Sequence, residues 1–175
     1  MLRRAAREPD VFFIALDADA LAMADGSRRA ARPTRKGGRE NVVFLAAAAE
    51  ELPGHLWALA DEATVILPWR SLFAAVLEPE GATFAGISGT VKPGGELTVL
   101  VSAQERDRIA GTIELDDAAA GRLAARYTAA GMTVVECRTA TKADVLLHSS
   151  GWGQRLGIPN QRAAWLFRLR VNCQG

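Results

Sequence analysis

The chain has 175 residues, 49% of them hydrophobic and 23% charged, with a formal net charge of +1; that length suits one domain with a real core. No apolar run approaches the roughly 20 residues of a membrane span, and Glu8, Pro9 and Asp10 interrupt the place where a signal peptide would carry its apolar stretch, so neither membrane insertion nor export is expected and a cytoplasmic location is. The two cysteines, Cys137 and Cys173, and the two histidines, His55 and His148, show no metal-ligand or triad spacing, which disfavours metal-dependent and hydrolytic chemistry.

In chain order, residues 2–8 read as the end of a helix. The run VFFIAL at 11–16 has no polar alternation, so it predicts a strand buried on both faces, ended by Asp17. A helix is expected over 18–31, stopped by Pro33 and then Gly37-Gly38. There follow a second buried strand at 42–45, a short helix at 56–60 and a third strand at 64–67 ended by Pro68. Helical 71–77 leads to a turn at Lys92-Pro93-Gly94-Gly95 and a strand at 96–102. An acid-led helix at 116–130 is closed by Gly131 and followed by a strand at 133–138, a helix-like stretch around 149–156 and a last strand at 164–171. This alternation implies an α/β fold with a mostly parallel sheet, read as a single domain over 1–175.

Several residues at strand exits carry chemistry. Asp17 stands where Rossmann-like folds place an acid to accept hydrogen bonds from ribose hydroxyls; it also suits a helix N-cap, a duty Asp19 can share. Ala49 and Glu50 follow the second strand, where small side chains admit a flat base and a carboxylate pairs its edge, although a tightly packed strand exit explains Ala46 to Ala49 equally well. Trp69 lies in the loop Leu67-Pro68-Trp69-Arg70-Ser71, and Trp152 in Ser149-Ser150-Gly151-Trp152-Gly153-Gln154-Arg155. Neither has the apolar periodicity of a core tryptophan, whereas Trp57 and Trp165 do. Two loop tryptophans suit the stacking of an extruded nucleobase. Arg28, Arg29, Arg32, Arg35, Lys36 and Arg39 crowd into one segment, a pattern that fits a polyanion partner or a solvated helix face.

Together IALDADALAM, RPTRKGG, ENVVFLAAAAEELP, ILPWRSL and SSGWGQRL resemble the aminoglycoside-resistance 16S ribosomal RNA adenine-N1 methyltransferases. The resemblance implies a Rossmann-like class I fold with an antiparallel C-terminal strand. It also implies S-adenosylmethionine as cofactor and, as substrate, an adenine in the decoding A site of the 30S subunit, with a monomer expected. By position it assigns Asp17, Ala49, Glu50 and Ser71 to the cofactor, and Trp69, Trp152 and Ser150 to the flipped adenine. Arg28, Arg32, Arg35, Lys36, Arg155 and Arg162 are assigned to RNA phosphates. Catalysis then rests on positioning rather than on a general base. Two departures stand out: Asn160 replaces a basic residue, and the family's first strand with its Gly-rich loop is not found in residues 1–175, residues 2–8 matching the tail of the helix after that loop. A non-catalytic RNA-binding remnant is the alternative, and cofactor binding separates the two. A nicotinamide-dependent enzyme also explains Asp17 but neither the tryptophans nor the arginines.

Overall fold

In the computed structural model, residues 1–103, 115–148 and 163–172 are described; they fall into two units, Met1–Pro53 and Gly54–Gly175, each with its own sheet. The first unit holds α1 (Leu2–Arg7), β1 (Phe13–Asp17), α2 (Ala20–Ala30) and β2 (Val42–Ala46). β1 and β2 pair in parallel, with Phe13 opposite Val42 and Asp17 opposite Ala46. Parallel pairing demands a crossover, which α2 supplies. Asp19 caps α2, its carboxylate accepting from the Leu21 and Ala22 amides at 2.9 and 3.1 Å. Asn41 ties the unit's start together: its Nδ2 donates to the carbonyls of Ala5, Glu8 and Val11 at 2.8–3.1 Å. Those carbonyls belong to the end of α1 and the approach to β1, groups a helix end leaves without partners of its own.

The second unit holds β3 (Ala60–Ile66), α3 (Arg70–Leu77), α4 (Ala82–Gly89), β4 (Val91–Val101), α5 (Asp117–Ala129), β5 (Met132–Thr139), α6 (Lys142–His148) and β6 (Trp165–Val171). Its strand order is β3-β4-β6-β5. β3 and β4 pair in parallel, while β6 opposes both β4 and β5. Within this sheet, among the described residues, only β6 runs against the other strands, as expected of the C-terminal strand. Leu97, Val99, Leu100, Val101, Phe167 and Leu169 are fully buried. Phe84 and Phe167 each lie 5.3 Å from the Tyr127 ring, and the Tyr127 hydroxyl is satisfied by the Val76 carbonyl at 2.7 Å. α6 opens with a capping box: the Asp144 carboxylate accepts from the Thr141 amide at 2.7 Å while the Asp144 amide reaches back to Thr141 Oγ1.

Four expectations are corrected. The 11–16 run is not buried on both faces: Val11, Phe12, Ile14 and Leu16 are exposed, because β1 pairs on one side only and the unit has few elements to cover it. The helix expected at 56–60 is a single 3-10 turn at Gly54–Leu56. Ala58 adopts a φ of 47° and the amides of Leu59 and Ala60 both bond Thr90 O, which draws Ala60 into β3 instead. Trp57 is 65% exposed, not core; its ring lies over Gly89, where an added Cβ would come within 2.1 Å. The turn at Lys92 to Gly95 is an irregularity inside β4, where the partners of Ala60 and Glu62 jump from Val91 to Glu96. Trp165, by contrast, is buried as expected, its Nε1 donating to Leu115 O at 2.6 Å. α4 was not anticipated at all.

Candidate functional site

In the first unit the parallel register sets Asp17 and Ala46 side by side at the carboxyl end of the sheet, the end where open α/β folds bind ligands. The Ala47 amide donates to Asp17 O at 3.0 Å, so the chain leaving β2 stays beside the acid. A 3-10 turn, Ala49–Glu51, follows at once. Asp17 is exposed, and its Oδ1 accepts from the Asp19 amide at 2.9 Å. That bond fixes the carboxylate in an Asx turn and leaves the second oxygen for a ligand hydroxyl. An acceptor-only carboxylate beside small residues fits the vicinal hydroxyls and flat base of an adenosine.

The basic segment lies in the same unit. Arg28 closes α2, and Arg35 and Lys36 lie in the 3-10 turn Thr34–Lys36. The following glycines fold the segment back: Gly37 takes a φ of 83°, and a Cβ on Gly38 would fall 1.6 Å from Arg32 O. The Arg39 amide then bonds Ala30 O at 2.9 Å. Arg28, Arg32, Arg35 and Lys36 are all exposed and make no ion pair among the described residues. Unpaired cations held on a closed loop are suited to a polyanion rather than to stabilising the fold.

In the second unit, Trp69 follows β3. Leu67 and Pro68 are buried, Leu67 in a cluster with Leu100, Val145 and Leu166, while Trp69 is 49% exposed and Ser71 is exposed in the first turn of α3. Leu67 and Arg70 both have positive φ, 46° and 52°, which costs on the order of 1–3 kcal/mol each for residues with a Cβ. The buried side of the loop over-determines this strained path, and the result is a large aromatic ring turned out to solvent. Ser150, Trp152, Arg155 and Arg162 lie outside the described residues.

Arg29 and Arg39 of the basic segment line one groove of about 280 Å³ together with Arg3 and Arg7, to which sequence reasoning assigned no role. The i, i+4 spacing of Arg3 and Arg7 was the available signal. Among the described residues no group of His, Cys, Asp and Glu suits a metal, and no helix is long and apolar enough to cross a membrane. Partial burial pushes the Cys137 thiol up, away from the reactive thiolate.

The family model described as NpmA, 16S rRNA (adenine(1408)-N(1))-methyltransferase, matches residues 1–171. A curated 16S rRNA (adenine(1408)-N(1))-methyltransferase from Streptoalloteichus tenebrarius is 31% identical over 163 residues, 90% of this chain and 75% of the relative. One of the same name from Escherichia coli is 32% identical over 88 residues, covering 50% and 40%. Among solved structures, the 16S rRNA methyltransferase KamB aligns with a TM-score of 0.86 at 28% identity, over 98% of this chain and 82% of that one. A mutant of the Catenulisporales acidiphilia enzyme, crystallised with cosubstrate SAM, aligns with a TM-score of 0.85 at 27% identity, over 98% and 80%.

Proposed function

The chain belongs to the 16S rRNA (adenine(1408)-N(1))-methyltransferase family, and from that premise we propose that it transfers a methyl group from S-adenosylmethionine to N1 of an adenine in the 30S decoding site, a modification that confers aminoglycoside resistance. The observation that carries this reading is the match over residues 1–171, within which Asp17, the Ala49–Glu51 turn and the Trp69 loop all follow the carboxyl ends of strands that have parallel neighbours. The cofactor supplies a methyl group already activated on a sulfonium. Asp17 accepts hydrogen bonds from the ribose, Ala49 and Glu50 line the adenine, and Ser71 lies at the methionine end.

Adenine N1 brings its own lone pair, so the protein need only orient the base and no general base is required. Trp69 and Trp152 stack on it with Ser150 in support, an arrangement in which each aromatic face contributes about 1–3 kcal/mol. Arg28, Arg32, Arg35, Lys36, Arg155 and Arg162 hold backbone phosphates without reading sequence. The chain works as one methyltransferase domain, as a monomer, in the cytoplasm and away from membranes. Incubating purified 30S subunits with the chain and S-adenosylmethionine, then mapping methylated bases by primer extension, tests the reading: a single stop at the decoding-site adenine is expected. Methylation elsewhere, or none with cofactor bound, would overturn it.

A further inference from the structure

Two neighbouring sides of α1 are charged differently. On one, Arg4 is spent: its Nε and Nη2 form a bidentate pair with Glu8 at 3.0 and 2.9 Å, and its guanidinium lies 5.4 Å from the centroid of the Phe13 ring. On the other, Arg3 and Arg7 are exposed, one helical turn apart, with no ion pair among the described residues. They look into the groove whose remaining walls include Leu2, Ala6, Arg29 and Arg39. Among the described residues the only acid at ion-pair distance from any of these four arginines is Asp25, 3.9 Å from Arg29, with both side chains more than half exposed, a contact worth little in water.

Arg39 gives the groove its second peculiarity. Its Nη1 donates to Gly38 O at 2.6 Å, but its Nε is buried with no hydrogen-bond partner. A guanidinium cannot shed its charge by deprotonation. Burying part of one beside three others, with only the exposed Asp25 carboxylate near one of them, disfavours the groove without an anion. An oxyanion relieves that cost, and the planar fork of Arg matches a phosphate bidentately.

We propose that the groove between α1 and the end of α2 is a phosphate site that holds a backbone phosphate of the RNA next to those gripped by Arg28, Arg32, Arg35 and Lys36. Arg29 adjoins Arg28 on α2, and Arg39 follows the Gly37-Gly38 turn that closes the basic loop, so groove and loop draw their cations from the same segment. The proposal rests on the RNA-methyltransferase reading and adds to it a contact made by α1.

The test compares 30S binding across salt concentrations for the wild type, Arg3→Gln/Arg7→Gln, Arg4→Gln and a variant neutralised at Arg28, Arg32, Arg35 and Lys36. Each lost phosphate contact lowers the slope of log affinity against log salt by roughly 0.7 to 0.9. Arg3→Gln/Arg7→Gln is expected to bind about tenfold more weakly near 0.1 M salt, with a slope lower by about one and an unchanged melting temperature, since both side chains are exposed. Arg4→Gln, which does not line the groove and is paired with Glu8, should melt earlier and keep the wild-type slope. A wild-type slope in Arg3→Gln/Arg7→Gln, with the loop variant still losing slope, overturns the groove and leaves the RNA-methyltransferase reading standing. If neither variant changes the slope, the groove and the phosphate grip of the loop both fall, while the methylation map decides the RNA-methyltransferase reading. NMR of the Arg39 Nε–Hε signal during titration with inorganic phosphate separates the sources: a saturable shift combined with a wild-type slope in Arg3→Gln/Arg7→Gln identifies a free-anion site and overturns the RNA assignment.

Discussion

The first and second units both contain strongly apolar strands and bury them very differently. VFFIAL before Asp17 and VVFLA in β2 are wholly apolar, more so than ELTVLV in β4 with its Glu96 and Thr98. Yet Leu97, Val99 and Leu100 of β4 are fully buried, whereas Ile14, Leu16 and Val43 are 36%, 41% and 42% exposed. β4 has a strand on each side and α4 packed against it; β1 has one neighbouring strand and α2. An apolar run thus reports that a strand forms, while burial depends on how many layers the chain can bring to it. A two-stranded sheet is marginal by itself, and the unit compensates with specific polar ties such as Asn41 and the Asp19 cap.

The sharpest way to break this comparison is a matched pair of truncations. Leu97→Ala should cost about 2–5 kcal/mol by leaving a cavity in packed surroundings, and Leu16→Ala about 1 kcal/mol or less, because much of its surface is already in water. Chemical denaturation of both variants checks this; equal losses would show β1 to be covered in solution.

A functional contrast follows, smaller in energy. Trp69→Ala should slow methylation of 30S subunits by about 5- to 150-fold, the equivalent of about 1–3 kcal/mol of stacking, with cofactor affinity within about twofold. Asp17→Ala should do the reverse first, weakening S-adenosylmethionine binding by about tenfold or more through loss of a charged hydrogen-bond acceptor. Calorimetric titration beside the methylation assay separates them. A joint loss of cofactor affinity and melting temperature in Trp69→Ala would make that ring structural.

Acid should act mainly on the second unit. The Arg138 guanidinium holds the Asp144 and Glu136 carboxyls below their usual range, and Arg168 does the same for Glu96. Folded values below unfolded ones mean that this stabilisation is complete above about pH 5 and is lost as pH falls through the carboxylate range and below. Asp144→Asn should cost about 1–2 kcal/mol at pH 7, kept to the low end by the partly exposed Arg138, and should flatten the acid limb of the melting curve. An unaltered acid limb would remove the network from the account. A local effect of about 1 kcal/mol is expected for Asn41→Ala, read as faster amide exchange in α1 and β1 alone.

Much of the candidate site was legible because strand exits announce themselves. Asp17 after VFFIAL and Pro68-Trp69 after TVIL mark carboxyl ends of strands, and tight turn residues mark where the chain reverses. The positive φ values at Leu67 and Arg70 were not legible, since neither residue type favours that region; they arise because the buried Leu67-Pro68 step fixes the path of the loop. Trp57 misled for a related reason: its apolar neighbours Leu56 and Leu59 belong to a turn, so they carry no information about which face is covered.

The sequence by itself determined the alternation of strands and helices, the opposed direction of the last strand through its family resemblance, and the chemical types at each strand exit, because these depend on local periodicity and on residue identity. Only the tertiary structure decided that β1 is half exposed, that residues 92–95 form a bulge within β4, and that Arg3 and Arg7 meet Arg29 and Arg39 across one groove. Each of those facts depends on which distant segments supply neighbours, and local sequence holds no record of what lies across a gap from it.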